Sequence, residues 1–397
     1  MARYIVSIDQ EKITTEVGSL DIFEIRGGEH YRFQYSDAWI RNPLKFSIDP
    51  SLELSTGVPY SSSRLWGAFQ DISPDRWGRL LQKRAHGAYI SESGFMLGVS
   101  DTMRMGALRI STAEDPKDYL SSHKNIPKFV MIGTLMDAIR NVENNKDTPE
   151  DIKTLLYPAG SLGGARPKAI VEDGGDLWIA KFPSSNDTER VALWEAMMLK
   201  LAGSLGIQTP EQKIMNVTGN KPILLVKRFD RTATGERIPF MSAMTLLIRN
   251  ETSGNPGSYL EMVDALVRIA TNPVDDAREL WRRMVLNVLA GNIDDHLRNH
   301  GFLHTRSGWV LSPAYDLNPT DQPFERRNHV LTFDGRTNAP SLKLCLSLAP
   351  YFRYEEREAI QELERIRTSV ANWKKIAQET GLEAKEIRRM EKGFSIL

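Results

Sequence analysis

Cysteine is almost absent from this chain. One residue, Cys345, among 397 allows no internal disulfide and no cysteine-based zinc centre. A surplus of either charge is absent too. Lys+Arg and Asp+Glu both number 51, so net charge gives no sign of a nucleic-acid or other polyanion binder. No apolar run approaches the roughly 18 residues a membrane span needs. The start, "MARYIVSIDQEK", lacks the basic-then-apolar plan of a signal peptide. There is no internal repeat, low-complexity tract or long charge run. These absences lead us to expect a cytoplasmic protein with no membrane partner. The rest is ordinary for a soluble globular chain: 41% apolar and 26% charged residues. The length suits roughly two to three domains or subdomains with a sizeable core.

Four segments follow. Residues 1–112 are rich in short strand-like runs ("RYIVSI", "DIFEI", "YRFQY"), and "SPDRWGRLLQKRAHG" predicts a helix capped by Ser73 with Pro74 in its first turn. This is a small α+β module. Residues 113–156 are polar with helical patches and form a connector. Residues 157–240 give loop, strand, Gly-Gly turn and strand, then an amphipathic helix in "TERVALWEAMMLKLAGSLGI" and two more strands. Residues 241–397 are mostly helical, with a hairpin turning at Ser307-Gly308 and a charged helical tail.

Three features carry chemistry. The first is a Gly-rich stretch in which Gly160, Gly163 and Gly164 flank Ser161, followed by Arg166 and Lys168. Glycines let backbone N–H groups approach phosphate oxygens, although the stretch fits neither the P-loop nor GxGxxG, and a ligand-free hairpin loop is the bland alternative. The second is Lys181, which shares a strand face with Leu177 and Ile179 one hairpin later. It reads as a phosphate-binding lysine, or as a strand end reaching solvent. The third is "LNVLAGNIDDHLRNHGF". Asp294 and Asn299 have the D-x-x-x-x-N spacing of a kinase catalytic loop, where Asp orients the attacking hydroxyl and Asn binds Mg²⁺. From Asp295 the same offset lands on His300, a poor Mg²⁺ ligand, so Asp294 is the better candidate. Further on, Asp316 in "LSPAYDLNP" follows a strand, where a kinase places its main Mg²⁺ carboxylate. Capping roles remain open for both acids.

Lesser features rank below these. His296 and His300 stand at i, i+4 but lack a third soft ligand, so His296 reads as a loop organiser. Glu195 could pair with Lys181 or face solvent. Arg326-Arg327 reads as a solvated charge pair. Met197-Met198-Leu199 and the run from Trp281 to Leu289 read as core.

"SLGGARPKA", "WIAKFP", "LLVKRFDR", "GNIDDHLRNHGF" and "LSPAYDLNP", in this order, resemble the successive motifs of the HipA family of bacterial toxin kinases, and "SPDRWGRLL" resembles its N-terminal module. The resemblance implies an α+β, two-lobed protein-kinase-like fold, similar also to phosphoinositide kinases. It implies ATP and Mg²⁺ as cofactors and serine phosphorylation of a cellular protein. It further implies a small helix-turn-helix antitoxin (HipB-like) as partner, with DNA reached only through it. Carried over by motif, Asp294 resembles the catalytic base, Asn299 and Asp316 the Mg²⁺ ligands, and Lys181 the phosphate lysine. Gly163, Gly164, Ala165, Arg166, Pro167 and Lys168 match the ATP-phosphate loop. Lys227, Arg228 and Phe229 match the adenine-contacting linker between lobes. His296, Leu297, Arg298 and Asn299, with Tyr315 and Asp316, match the remaining nucleotide contacts. Ser161 falls where the family has an autophosphorylated serine, and Pro167 stiffens a loop that swings outward in the family. The tail after 350 matches no motif. Three rival readings stay open: a small-molecule phosphotransferase on the same scaffold, a catalytically silent antitoxin- or DNA-binding module, and a metal nuclease built on Asp294, His296 and His300.

Overall fold

The computed structural model describes residues 1–87, 89–120, 126–160, 164, 166–217, 221–250 and 254–394. It divides into two compact units. One comprises Met1–Ser185, Leu225–Met241 and Leu303–Arg306. The other comprises Asn186–Leu224, Ser242–Phe302 and Ser307–Leu397.

The first unit begins with an antiparallel five-stranded sheet. Its strands are β1 (Ala2–Gln10), β2 (Ile13–Ile25), β3 (Gly28–Tyr35), β4 (Tyr60–Ser62) and β5 (Leu108–Thr112), in the order β4-β3-β2-β1-β5. Alternation sets the buried face: Tyr31, Phe33 and Tyr35 all point inward from β3. Phe33 meets Phe69 edge-on at 5.8 Å. The helix of "SPDRWGRLL" runs Arg76–His86, and its cap is Asp75, not Ser73. The Ser73 hydroxyl instead donates back to the Phe69 carbonyl at 2.8 Å and closes the preceding turn. Asp75 adopts the extended cap conformation and accepts from the Gly78 N–H at 2.8 Å.

Next come helices Ile132–Glu143 and Pro149–Leu156, then the β6 (Lys168–Asp173) and β7 (Asp176–Lys181) hairpin. Gly174 and Gly175 have φ of 62° and 91°, as a two-residue turn with positive φ at both positions requires. After β8 (Gln212–Met215), β9 (Ile223–Lys227) lies beside β7. The chain leaving β9 anchors to the N-terminal module through buried charge. The Arg228 guanidinium donates to Asp230 and to the Met103 and Arg104 carbonyls, and Asp230 accepts from the Gly106 N–H at 2.7 Å. Burial alone would raise the Asp230 carboxyl, but Arg228 and Arg231 outweigh it and hold it far below its usual range.

The second unit is built on helices Val191–Ser204, Tyr259–Ile269, Pro273–Ala290 and Glu356–Ala371. Helix Val191–Ser204 is buried nearly all round, from Leu193 through Leu199, instead of amphipathic. It takes Glu195 inside with it, at 3% exposure, which removes the solvent-facing alternative for that residue. Helix Pro273–Ala290 starts on proline and stops at Gly291 in the left-handed conformation, φ 67°. Trp281, Met284, Val285 and Leu289 on it are wholly buried core. Strands Gly301–Thr305 and Gly308–Leu311 flank a turn at Arg306-Ser307, one residue earlier than expected, because Gly308 already belongs to the second strand. The tail folds as helices Glu356–Ala371, Trp373–Glu379 and Ala384–Met390, and Trp373 stacks on Phe394 at 4.2 Å between centroids. The lone Cys345 is buried, its backbone carbonyl accepting from the Trp281 indole at 2.9 Å, and burial pushes its thiol up to about 12. No helix among the described residues is long and apolar enough to cross a membrane.

Arg326 is exposed, but Arg327 is not the solvated charge its sequence context suggests. It is 2% exposed and donates to the carbonyls of Gln322, Val288 and Gly393. The Val288 carbonyl lies in the last turn of a long helix, where the negative end of the helix dipole favours a cation. Its guanidinium presses so closely on Gly291 that a Cβ there would sit 2.8 Å from its Cζ. We expect Arg327→Met to cost about 2–4 kcal/mol, because two buried carbonyls, those of Val288 and Gly393, and the more exposed Gln322 carbonyl lose their donor at once. Denaturant unfolding of the two proteins checks this, and a cost below about 1 kcal/mol would contradict it.

Candidate active site

The Asp294 loop leaves the long helix at Gly291 and is fixed from beneath by a buried polar network. Asp295, 1% exposed, accepts from the Tyr259 hydroxyl and from His300 Nε2 at 2.9 Å. Tyr259 in turn accepts from Asn287 Nδ2 at 3.0 Å, and Asn292 Nδ2 donates to Asn287 Oδ1 at 3.1 Å. Burial alone would push the Asp295 carboxyl up. The His300 ring and the Tyr259 hydroxyl outweigh it and hold the carboxyl below its ordinary range. Asp295 is therefore a structural post, and His300 is its partner. Asp295 and His300, set aside in the sequence, brace the loop from beneath, and the His296 carbonyl accepts from the Asn299 N–H at 2.8 Å.

With Asp295 turned inward, its neighbour Asp294 is exposed. Asn299 is buried at the end of a short 3₁₀ turn, Leu297–Asn299, and its Nδ2 reaches the Asp294 carbonyl at 3.4 Å. That orientation turns the amide oxygen, the end a cation would meet, away from the contact. The Tyr315 hydroxyl donates to the Arg298 carbonyl at 2.7 Å and ties the Asp316 loop to this one. Asp316 holds φ 58°, a left-handed conformation that Asp tolerates better than most residues but that still carries strain. Among the described residues, three polar atoms in these loops, His296 Nδ1, His300 Nδ1 and Asn318 Oδ1, are buried without a hydrogen-bond partner. Orphaned buried atoms are costly, and they fit a site that a polar ligand completes. Among the described residues no three His, Cys, Asp or Glu side chains gather to hold a metal, and the bond from His300 to Asp295 commits one of the three residues of the nuclease reading. Asn299 and Asp316 remain a pair suited to Mg²⁺, which commonly takes one or two protein ligands with phosphate oxygens.

The remaining candidates lie in the first unit. Ser161, Gly163 and Ala165 fall outside the described residues. Gly164 has φ 107°, Arg166 is exposed, and the Pro167 carbonyl accepts from the Phe182 N–H at 3.0 Å. Lys168 and Lys181 are direct partners across the β6–β7 hairpin. Lys181 is half-buried, while Lys168 is buried, its ammonium 2.6 Å from Asp75. Burial pushes the Asp75 carboxyl up, with Lys168 and the Gly78 and Trp77 N–H groups pulling it back only in part. Lys227 pairs with Asp176 at 2.6 Å, and the Arg228 side chain is committed to Asp230, so these two residues would meet a nucleotide chiefly through their backbone. Phe229 is half-buried. The Asp75 contact was invisible in the sequence, since Asp75 and Lys168 lie 93 positions apart.

Comparison with known proteins matches this arrangement from both ends. Residues 13–111 match the model of the HipA N-terminal domain, and residues 160–391 match that of the HipA-like C-terminal domain. The second match includes the tail that no motif reached. Y4dM of Sinorhizobium fredii, named as a candidate kinase, is 31% identical over 311 residues, 72% of this chain and 71% of its own length. The protein of Shewanella oneidensis named serine/threonine-protein kinase toxin HipA is 25% identical over 199 residues, 43% of this chain and 46% of its own length. Among solved structures, a chain of the Shewanella oneidensis MR-1 complex of HipA, HipB and operator DNA superposes with a TM-score of 0.70 at 17% identity, covering 98% of this chain and 96% of that one. With both family domains present in order and the same mixed α/β fold along nearly its whole length, the chain belongs to the HipA family.

Proposed function

We propose that the chain is an ATP- and Mg²⁺-dependent serine/threonine protein kinase that acts as the toxin of a toxin–antitoxin pair in the cytoplasm. The observation that carries this reading is the division of labour between adjacent acids. Asp295 is buried as a post, which presents Asp294 outward, five residues before an Asn299 whose amide nitrogen is turned to the Asp294 carbonyl. Asp294 orients the attacking serine hydroxyl and accepts its proton. Asn299 and Asp316 would hold Mg²⁺, which neutralises charge on the transferred phosphate. Lys181 and the loop from Gly163 to Lys168 steady the phosphates, so the protein's part is positioning and electrostatics. Lys227 to Phe229, His296 to Asn299 and Tyr315 supply the remaining nucleotide contacts. The names of the relatives support a protein substrate, and the Shewanella complex supports a HipB-like partner; the family resemblance implies that this partner is a helix-turn-helix protein through which alone DNA is reached. Ser161 would be the site of self-phosphorylation.

Phosphate transfer from labelled Mg-ATP into a bacterial protein extract tests the reading. The wild type should label one or a few proteins, and Lys181→Ala should lower labelling by on the order of 10². Growth arrest on expression should be relieved by the same substitution. Label that appears only in small metabolites would favour a small-molecule phosphotransferase. Undiminished arrest by a soluble Lys181→Ala protein would favour sequestration by binding.

A further inference from the structure

Two lysines face each other on the first rung of the β6–β7 hairpin. Like charges directly opposite destabilise such a pair, so the fold must supply a counter-charge. It comes from the N-terminal module. Lys168 Nζ donates to Asp75 Oδ2 at 2.6 Å and to the Gly164 carbonyl at 3.2 Å, and the two side chains are only 9% and 4% exposed. The other Asp75 oxygen caps helix Arg76–His86 through the Gly78 N–H. A Cβ on Gly78 would lie 2.9 Å from the Pro74 Cβ, too close without a shift, and in ordinary contact with the Gly160 carbonyl at 3.5 Å. The carboxylate thus joins the helix start to the first residue of β6, whose ammonium holds the Gly164 carbonyl in turn.

We propose that Asp75 is a positioning residue of the nucleotide site, fixing Lys168 so that its ammonium braces the Gly164 carbonyl before ligand arrives. An ammonium has three N–H groups, and these two contacts use two of them. The third suits a phosphate oxygen. The N-terminal module is then part of the phosphate site and not a separate appendage. This inference rests on the nucleotide reading of the loop, but its first test does not.

Asp75→Asn removes the charge and keeps the helix cap, because Asn caps as well as Asp. A role limited to capping therefore predicts no change. We expect backbone hydrogen exchange at Gly164 and Lys168 in nucleotide-free protein to accelerate about tenfold. We also expect KM for ATP to rise about tenfold with kcat within about twofold, since binding and not chemistry is disturbed. Lys168→Met alone should accelerate the exchange at Gly164 to the same degree and raise KM at least as much, and the double variant should be no worse than Lys168→Met, as residues acting through one contact require. Should Asp75→Asn fail to fold, Lys168→Met still decides by the exchange at Gly164. Wild-type exchange and KM in a folded Asp75→Asn protein would overturn the proposal, as would a lowered KM, which would make Asp75 a competitor of the phosphate. If the wild type takes no ATP at all, the kinase reading falls, while the exchange rates still report on Asp75.

Discussion

Asp294→Asn and Asp316→Asn should each remove most phosphotransfer, on the order of 10² or more in rate, and leave the protein folded. The structure gives reasons for both halves. Asp294 is exposed on a loop whose position is fixed by Asp295 beneath it, so its amide variant disturbs no buried contact. Asp316 occupies a left-handed backbone conformation that Asn adopts as readily as Asp, so the backbone should persist. The two variants should differ in binding. Asp316→Asn loses a Mg²⁺ ligand and should weaken Mg²⁺-dependent ATP binding, whereas Asp294→Asn should bind ATP nearly as well as the wild type. Calorimetric titration with Mg-ATP beside a transfer assay separates them. Near wild-type transfer by a folded Asp294→Asn protein would sink the assignment of the base.

A second large effect is expected one residue away and of a different kind. Asp295→Ala should destabilise the protein by about 3–5 kcal/mol, because a buried carboxylate disappears and leaves the Tyr259 hydroxyl proton and His300 Nε2 without their acceptor. The effect should depend on pH. The folded carboxyl titrates below its ordinary value despite burial, because His300 and Tyr259 favour the charged form. Its stabilisation is therefore fully present above the unfolded carboxyl value of about 3.9 and is lost as pH falls from there through the folded value. Urea unfolding of wild type and variant at pH 7 and pH 3 should show the gap narrowing in acid. A gap that stays constant or widens would mean that the charge of Asp295 is not what supports the loop.

The contrast between these neighbours shows what a chain reveals before it folds. The D-x-x-x-x-N spacing from Asp294 to Asn299 is local, and so is the strand alternation that exposes β1, β3 and β7 as strands. The mixed fold and the family were legible because several such local signals recur in a fixed order. The supports were not legible. Tyr259 lies 36 positions before Asp295, and only the pairing of two helices brings its hydroxyl to the carboxylate. Arg327 looks solvated beside Arg326, because nothing near it in sequence reveals the three carbonyls that receive it. Helix Val191–Ser204 seemed amphipathic because it contains Glu195 and Lys200, and burial of the glutamate is a tertiary fact. The error over Ser73 is a competition between two good caps, settled when Ser73 bonded backward to Phe69 and left Asp75 at the helix start.

The single cysteine also has a practical consequence. Cys345 is enclosed beneath the Trp281 indole with its thiol pushed up to about 12, so at neutral pH it presents almost no thiolate and no accessible sulfur. Maleimides and disulfide reagents should pass the native protein by. A cysteine placed at an exposed position such as Arg166 would then be the one reactive handle in the chain. A fluorophore or spin label there could follow the phosphate loop without any background substitution.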